Sequence, residues 1–255
     1  MKKIVALIAV LFSVVVPVQA QADTKSLVII DSYFQSNIAV GAITSTGAAC
    51  PQSKTVVNTT PSSPYNHGTQ MYAVAKLQNP NIKIIPICGA NEKTEMNPAM
   101  FISSLKWVEN NASQVFAVSF SRFFNHATKP CMPTASAPYT PETGDKEIKR
   151  LINSLKTKGI KIFASTGNDK NKPVNYPACI VETESVVHAN ELGNPLGGSN
   201  ISTDYFVKLS DDGSIFSYRT SIGLVAHTSS SATAALAAIF SSGTLLDTKL
   251  VKAKA

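Results

Sequence analysis

The chain has 255 residues, 44% of them hydrophobic and only 15% charged, with a formal net charge of +7. That is enough apolar material for one sizeable core or two small ones, and with an ordinary 13 Gly and 14 Pro it excludes collagen-like, low-complexity and highly charged disordered classes. The lysines are scattered and lack interleaved aromatics, which argues against a nucleic-acid partner.

Met1-Lys2-Lys3 is a short basic start, residues 4–18 are almost wholly apolar, and Val18-Gln19-Ala20 has the small-x-small form of a signal-peptidase site. The apolar run is too short to cross a bilayer comfortably, and polar sequence follows it at once. The pattern predicts an export signal over 1–20, cleaved after Ala20 or two residues later, and one domain over 21–255 with no evident propeptide. Losing Lys2 and Lys3 lowers the formal charge from +7 to +5. No Cys lies directly after the cleavage site and no later apolar run is long enough to span a membrane, so a periplasmic or secreted protein without a membrane anchor is expected, as a monomer.

Residues 26–30 (Ser-Leu-Val-Ile-Ile) are a continuous apolar run ending at Asp31, which predicts a buried parallel strand with a carboxylate at its carboxyl end. Residues 32–66, rich in Ser, Thr, Pro, Gly and Asn, read as mostly loop. A short helix is expected over 69–77 and a second strand over 82–87. Asn97-Pro98 can cap a helix running through Phe101, Leu105, Trp107 and Val108. A third strand over 114–120 and a Pro- and Thr-rich loop over 129–141 follow.

Ile148, Leu151, Ile152 and Leu155 then lie at helical spacing, predicting a helix over 143–158 that stops at Lys158-Gly159. Residues 160–164 read as a fourth strand ending in Ser165-Thr166-Gly167-Asn168. Residues 178–189 and 200–220 look strand- and loop-rich, 228–240 reads as a small-residue helix, and the chain from Lys249 as a frayed tail. Strands alternating with helices predict an α/β fold with a mostly parallel sheet and helices on both faces, the ligand chemistry falling at the carboxyl ends of the strands.

Four cysteines, Cys50, Cys88, Cys131 and Cys179, would meet an oxidising compartment after export. No C-x-x-C pair exists, which disfavours zinc ribbons and thioredoxin-like sites, and the residues by themselves leave all three connectivities open.

Four segments carry candidate chemistry: Val28-Ile29-Ile30-Asp31-Ser32, Asn66-His67-Gly68-Thr69, Ala164-Ser165-Thr166-Gly167-Asn168 and His227-Thr228-Ser229-Ser230-Ser231-Ala232. Each alone is commonplace: a strand ending in Asp, a His before Gly, a Gly-Asn turn, a Ser at a helix start. In this order, Asp31, His67 and Ser229 match one of the known chain orders of a catalytic triad. The sequence resembles the subtilisin-like serine peptidases. Their pattern is an apolar strand into Asp, His-Gly-Thr opening a helix, an apolar strand into Gly-Asn, and Gly-Thr-Ser-x-Ala opening a buried helix. Val118-Ser119-Phe120-Ser121 and Tyr176-Pro177-Ala178-Cys179 are softer matches, and the likeness covers nearly the whole chain after the signal.

The resemblance implies a three-layer sandwich and a secreted serine endopeptidase acting on protein or peptide substrates. Ser229 would be the nucleophile, His67 its base, Asp31 the orienting carboxylate, and Asn168 the oxyanion donor. Substrate would lie along Ser119, Phe120 and Ser121 by strand addition, with the specificity pocket between that strand and Ser165, Thr166 and Gly167. The resemblance also implies the pairing Cys131–Cys179, and with it Cys50–Cys88. It implies no required cofactor; relatives often bind calcium, but no ligands stand out here, and Asp211-Asp212-Gly213 reads as a turn.

The chain departs from the family at several points. Tyr33 stands where Gly usually follows the Ser or Thr, Ser121 stands for a Gly, His227 for the Gly before Thr228-Ser229, and Thr233 for a Pro. A non-catalytic fold of this type, acting as an exported peptide- or protein-binding module, is the alternative. No Gly-x-Ser-x-Gly surrounds Ser229, which argues against the α/β-hydrolase class. Expressed in a secreting host, the exported protein should begin at Gln21 or Asp23 when its N-terminus is sequenced; a product retaining Met1 would refute the signal.

Overall fold

The computed structural model describes residues 25–35, 38–50, 67–89, 96–122, 124, 131–167, 174–189, 205–208, 218–220, 223–225 and 237–238. Leu27, Val28, Ile29 and Ile30 have no exposure at all, as a continuous apolar run requires when both faces of its strand are covered. That strand, β1 (Ser26–Asp31), is central. It pairs in parallel with β3 (Ile84–Cys88) on one side and β4 (Val115–Phe120) on the other.

Beyond β3 lies β2 (Ile43–Thr44), and beyond β4 lie β5 (Lys161–Ser165), β6 (Glu184–Ala189) and β7 (Tyr205–Lys208). The order is β2-β3-β1-β4-β5-β6-β7, and every pairing in this seven-stranded sheet is parallel. A separate antiparallel pair is formed by β8 (Tyr218–Thr220) and β9 (Gly223–Val225).

Alternation along β1 builds two core layers. Leu27 and Ile29 pack with Met71, Val74 and Ala75 of helix α1 (His67–Gln78). Val28 and Ile30 pack on the other face with Phe101, Ile102, Leu105 and Val108 of α2 (Pro98–Asn110), a layer completed by Ile148, Leu151, Ile152 and Leu155 of α3 (Pro141–Thr157). Of the helix expected over 228–240, Ala237 and Ala238 are described; they are helical and fully buried in the layer that holds α1. Helices therefore cover both faces of a parallel sheet, as the sequence predicts.

Local chemistry explains where the boundaries shift. Helix α1 begins at His67, two residues before the expected start. Helix α3 begins at Pro141 because Thr140 and Thr143 cap one another reciprocally and Pro suits the first helical turn. Strand β5 starts at Lys161 rather than at Ile160, whose N–H is still bound to the carbonyl of Leu155 at the end of α3. The segment read as loop contains β2, two residues too short to leave a periodic signal, held through Ile43↔Ile87 and Thr44↔Cys88. The tail from Lys249 lies outside the described residues.

Disulfides join Cys50 to Cys88 and Cys131 to Cys179, with Cα atoms 6.0 and 5.6 Å apart. Each closes a loop of the size for which chain entropy gives about 4 kcal/mol. The strand order reverses about β1, since β2 and β3 fall to one side and β4 to β7 to the other. The carboxyl ends of β1 and β4 consequently flank the crevice where parallel α/β sheets bind ligands.

Helix α1 reaches this edge only because Gly68 lacks a side chain. A Cβ there would sit 2.8 Å from the Tyr33 carbonyl oxygen and 3.0 Å from two carbons of the Phe34 ring. Gly68→Ala should therefore lower stability by roughly 1–3 kcal/mol, read as a fall in the urea midpoint; an unchanged midpoint would show that α1 can shift freely on the loop after β1.

Candidate active site

Asp31 is the last residue of β1, and its side chain is fully buried. A buried carboxylate must be hydrogen-bonded or paired, and Asp31 is both. The N–H of Ser32 donates to Oδ1 at 2.6 Å. His67, the first residue of α1, places Nδ1 2.8 Å from Oδ1 and 2.9 Å from Oδ2. The helix is fixed to the loop after β1 by the Gln35 N–H, which donates to Thr69 Oγ1 at 2.9 Å, and by the close approach at Gly68. The His-Gly-Thr segment thus has a division of labour: a ring to pair, a missing Cβ to permit approach, and a hydroxyl to accept the loop.

Burial by itself pushes the Asp31 carboxyl up. The charge and hydrogen bond of His67, the charge of Arg122 and the Ser32 N–H outweigh it and hold Asp31 below the ordinary carboxylate range. An ionised carboxylate can only accept, so His67 carries a proton on Nδ1; in the neutral form of the ring, Nε2 is then the acceptor. The His67 side chain is 19% exposed against 0% for Asp31, so the acid is sealed and the imidazole is partly open.

Ser119 and Phe120 lie inside β4, register-paired with Ile29 and Ile30 of β1 and with Phe163 and Ala164 of β5. Both are fully buried, and the Phe120 ring packs 4.3 Å from Phe101 and 5.5 Å from Phe124. Both edges of β4 are occupied as far as Phe120, and Ser121, the next residue, is buried at the end of the strand. Ser165, Thr166 and Gly167 run from the end of β5: the Thr166 N–H donates to the Val186 carbonyl, Ser165 Oγ accepts from the Gly167 N–H, and Gly167 adopts φ 103. The left-handed φ is a conformation that glycine tolerates at no steric cost. Ser229, Asn168 and His227 lie outside the described residues, as do Thr233 and Asp211-Asp212-Gly213.

Sequence reading missed the partners that complete the pair and its wall. Ser32 supplies a backbone donor to Asp31, which any residue there could do and no composition signal marks. Arg122, one residue past Ser121, adds positive charge near Asp31. Tyr176, fully buried, donates its hydroxyl to Asp145 Oδ1 at 3.1 Å, and burial followed by the Asp145 charge pushes its phenol far up. The Tyr-Pro-Ala-Cys segment was the available signal for Tyr176; its partner on α3, 31 residues earlier, was not visible.

No protein-family profile and no curated protein sequence matches the chain. Solved structures do. A cold-adapted subtilisin-like serine proteinase superposes with a TM-score of 0.61 at 14% identity, over 89% of this chain and 78% of that one. The prenylagaramide maturation protease PagA gives 0.59 at 14% identity, over 91% and 82%. The nisin leader peptidase NisP of Lactococcus lactis gives 0.60 at 12% identity, over 86% and 77%. The chain has a subtilisin-like fold.

Within that fold Asp31 and His67 occupy the end of the central strand and the start of the following helix, at the sheet's carboxyl edge. Among the described residues no group of three or more His, Cys, Asp or Glu could hold a metal ion, and no helix is long and apolar enough to cross a membrane. The lowered Asp31 pKa makes a pH prediction. Its contribution to stability is complete above the unfolded carboxylate value of about 3.9 and is lost as pH falls through the lower folded value. The stability gap between wild type and Asp31→Asn, from urea midpoints, should therefore narrow below about pH 4; a constant gap down to the acid limit would show that the carboxylate is not ionised in the fold.

Proposed function

We propose that this protein is an exported serine endopeptidase that cleaves protein or peptide substrates. The observation that carries the reading is the Asp31–His67 pair, bonded at 2.8 and 2.9 Å at the carboxyl edge of a subtilisin-like fold. The pair has the polarity a serine peptidase needs, with a sealed carboxylate fixing Nδ1–H and a partly open ring to accept a proton. The two disulfides are consistent with an oxidising destination.

In this reading the Ser229 hydroxyl gives its proton to His67 Nε2 as Oγ attacks the scissile carbonyl carbon. Asp31 keeps the ring in its tautomer and stabilises the imidazolium without itself becoming protonated. The Asn168 amide and the Ser229 N–H, at the start of the small-residue helix, would donate to the carbonyl oxygen as it gains charge. The imidazolium then returns the proton to the leaving amine, and water repeats the sequence to free the acyl group. The substrate would lie beside the end of β4 at Ser121, its side chain facing Ser165, Thr166 and Gly167. The maturation protease and the leader peptidase of similar fold make peptide precursors a natural first substrate class to try.

A serine-directed phosphonate carrying a fluorophore tests the proposal. Wild type should label at Ser229, Ser229→Ala should not label, His67→Ala should slow labelling by roughly 10²–10⁴-fold and Asn168→Ala by roughly 10²–10³-fold. Equal labelling of wild type and Ser229→Ala would overturn the peptidase reading in favour of a non-catalytic peptide-binding module.

A further inference from the structure

The two disulfides differ in access. Cys50 and Cys88 are 4% and 7% exposed, whereas Cys131 and Cys179 are both half-buried. Thiol–disulfide exchange needs an approach to sulfur, so an external thiol meets the second bridge first. Cys131 is also held at φ 54, the one positive φ outside glycine among the described residues. L side chains adopt that region rarely, and it persists only where the surroundings over-determine it.

The bridge fastens the wall of the proposed specificity pocket. Cys179 follows a segment whose Asn175 N–H donates to the Thr166 carbonyl at 3.0 Å and whose Tyr176 carbonyl accepts from the Phe124 N–H at 3.1 Å. The first bond holds the chain after β5, the second the chain after β4. Among the described residues, Thr166 Oγ1 and Asn175 Nδ2 at this seam are buried and have no hydrogen-bond partner. Such groups gain by meeting water, so they favour opening once the fastening is cut.

We propose that the Cys131–Cys179 bridge is a thiol-operated latch on the wall formed by Ser165, Thr166 and Gly167, tight when oxidised and loosened when reduced. The chemistry balances with a dithiol as reductant. One thiolate attacks a bridge sulfur and displaces the other as a thiolate that takes up a proton; the second thiol then closes the dithiol's own disulfide and frees the remaining cysteine. The bridge gains two electrons and two protons, and the dithiol loses them. The Asp31–His67 pair is spared, because the bridge beside it, at Cys88 opposite Asp31 in the β1–β3 register, is the buried one.

The latch regulates the site of the proposed peptidase, so its test needs one readout that rests on that reading and one that does not. With dithiothreitol present, phosphonate labelling of Ser229 should slow by about tenfold or more, as misplacement near a reacting centre does, and recover on reoxidation. Independently, hydrogen exchange at the amides of Asn175 and Phe124 should accelerate by about tenfold or more while the amides of β1 keep their protection. Cys131→Ser/Cys179→Ser should show both loosened values and no further response to dithiothreitol.

Unchanged exchange at Asn175 and Phe124 after mass spectrometry shows the bridge reduced would overturn the latch. So would loss of protection in β1, which means global unfolding, or a double variant that still responds to thiol. If labelling is absent in both redox states while exchange responds as expected, the peptidase reading fails and the latch stands.

Discussion

The bond between Asp31 and His67 is the constraint on which the site depends. A carboxylate with no solvent contact, at the end of the central strand, needs a cation or several donors to remain charged. His67 meets that need with two short contacts to the same carboxylate, and Ser32 adds a backbone donor. The requirement runs in both directions. The carboxylate fixes the ring's tautomer and orientation, and the ring keeps the carboxylate ionised. Core packing holds α1 on the sheet, and the missing Cβ at Gly68 and the Gln35–Thr69 bond bring its first turn to this contact.

The rest of the fold supplies rigidity around that contact. Strand β1 has hydrophobic layers on both faces, so its carboxyl end is anchored by packing and does not rely on its loop. The site then divides into two regions of different character. On the β3 side, the end of β1 is backed by a buried disulfide and a continuous parallel register. On the β5 side, the wall rests among the described residues on a few main-chain bonds, a half-buried disulfide and the Tyr176–Asp145 contact. In the peptidase proposed above, a firmly anchored Asp31–His67 pair beside a wall fastened at few points would hold the chemistry still while fitting a substrate side chain.

The core strands and helices were legible because burial leaves a periodic mark. The run at 26–30 and the spacing of Ile148, Leu151, Ile152 and Leu155 follow directly from elements covered on both faces or on one. Boundaries were less legible, because caps and last-turn bonds set them: the Thr140–Thr143 exchange and the Ile160–Leu155 bond each move an end by one or two residues. Strand β2 left no trace at all, since two residues cannot show a period and its support comes from β3 and from the turn that follows it.

Sequence by itself determined the chemical inventory and its order: a carboxylate ending an apolar strand, an imidazole opening a helix, a Gly-Asn after a later strand and a Ser before a run of small residues. Those features are local, written in residue types and neighbours, and they survive without a structure. Tertiary structure decided what is shared between distant segments. It put His67 against Asp31 across 36 residues, chose the disulfide partners among three possible connectivities, enclosed Ser119 and Phe120 within the sheet, and joined Tyr176 to Asp145. The physical reason is that hydrogen bonds, cross-links and strand edges belong to pairs of segments, and which segments meet is fixed by the parallel sheet's order, a property of the packed chain as a whole.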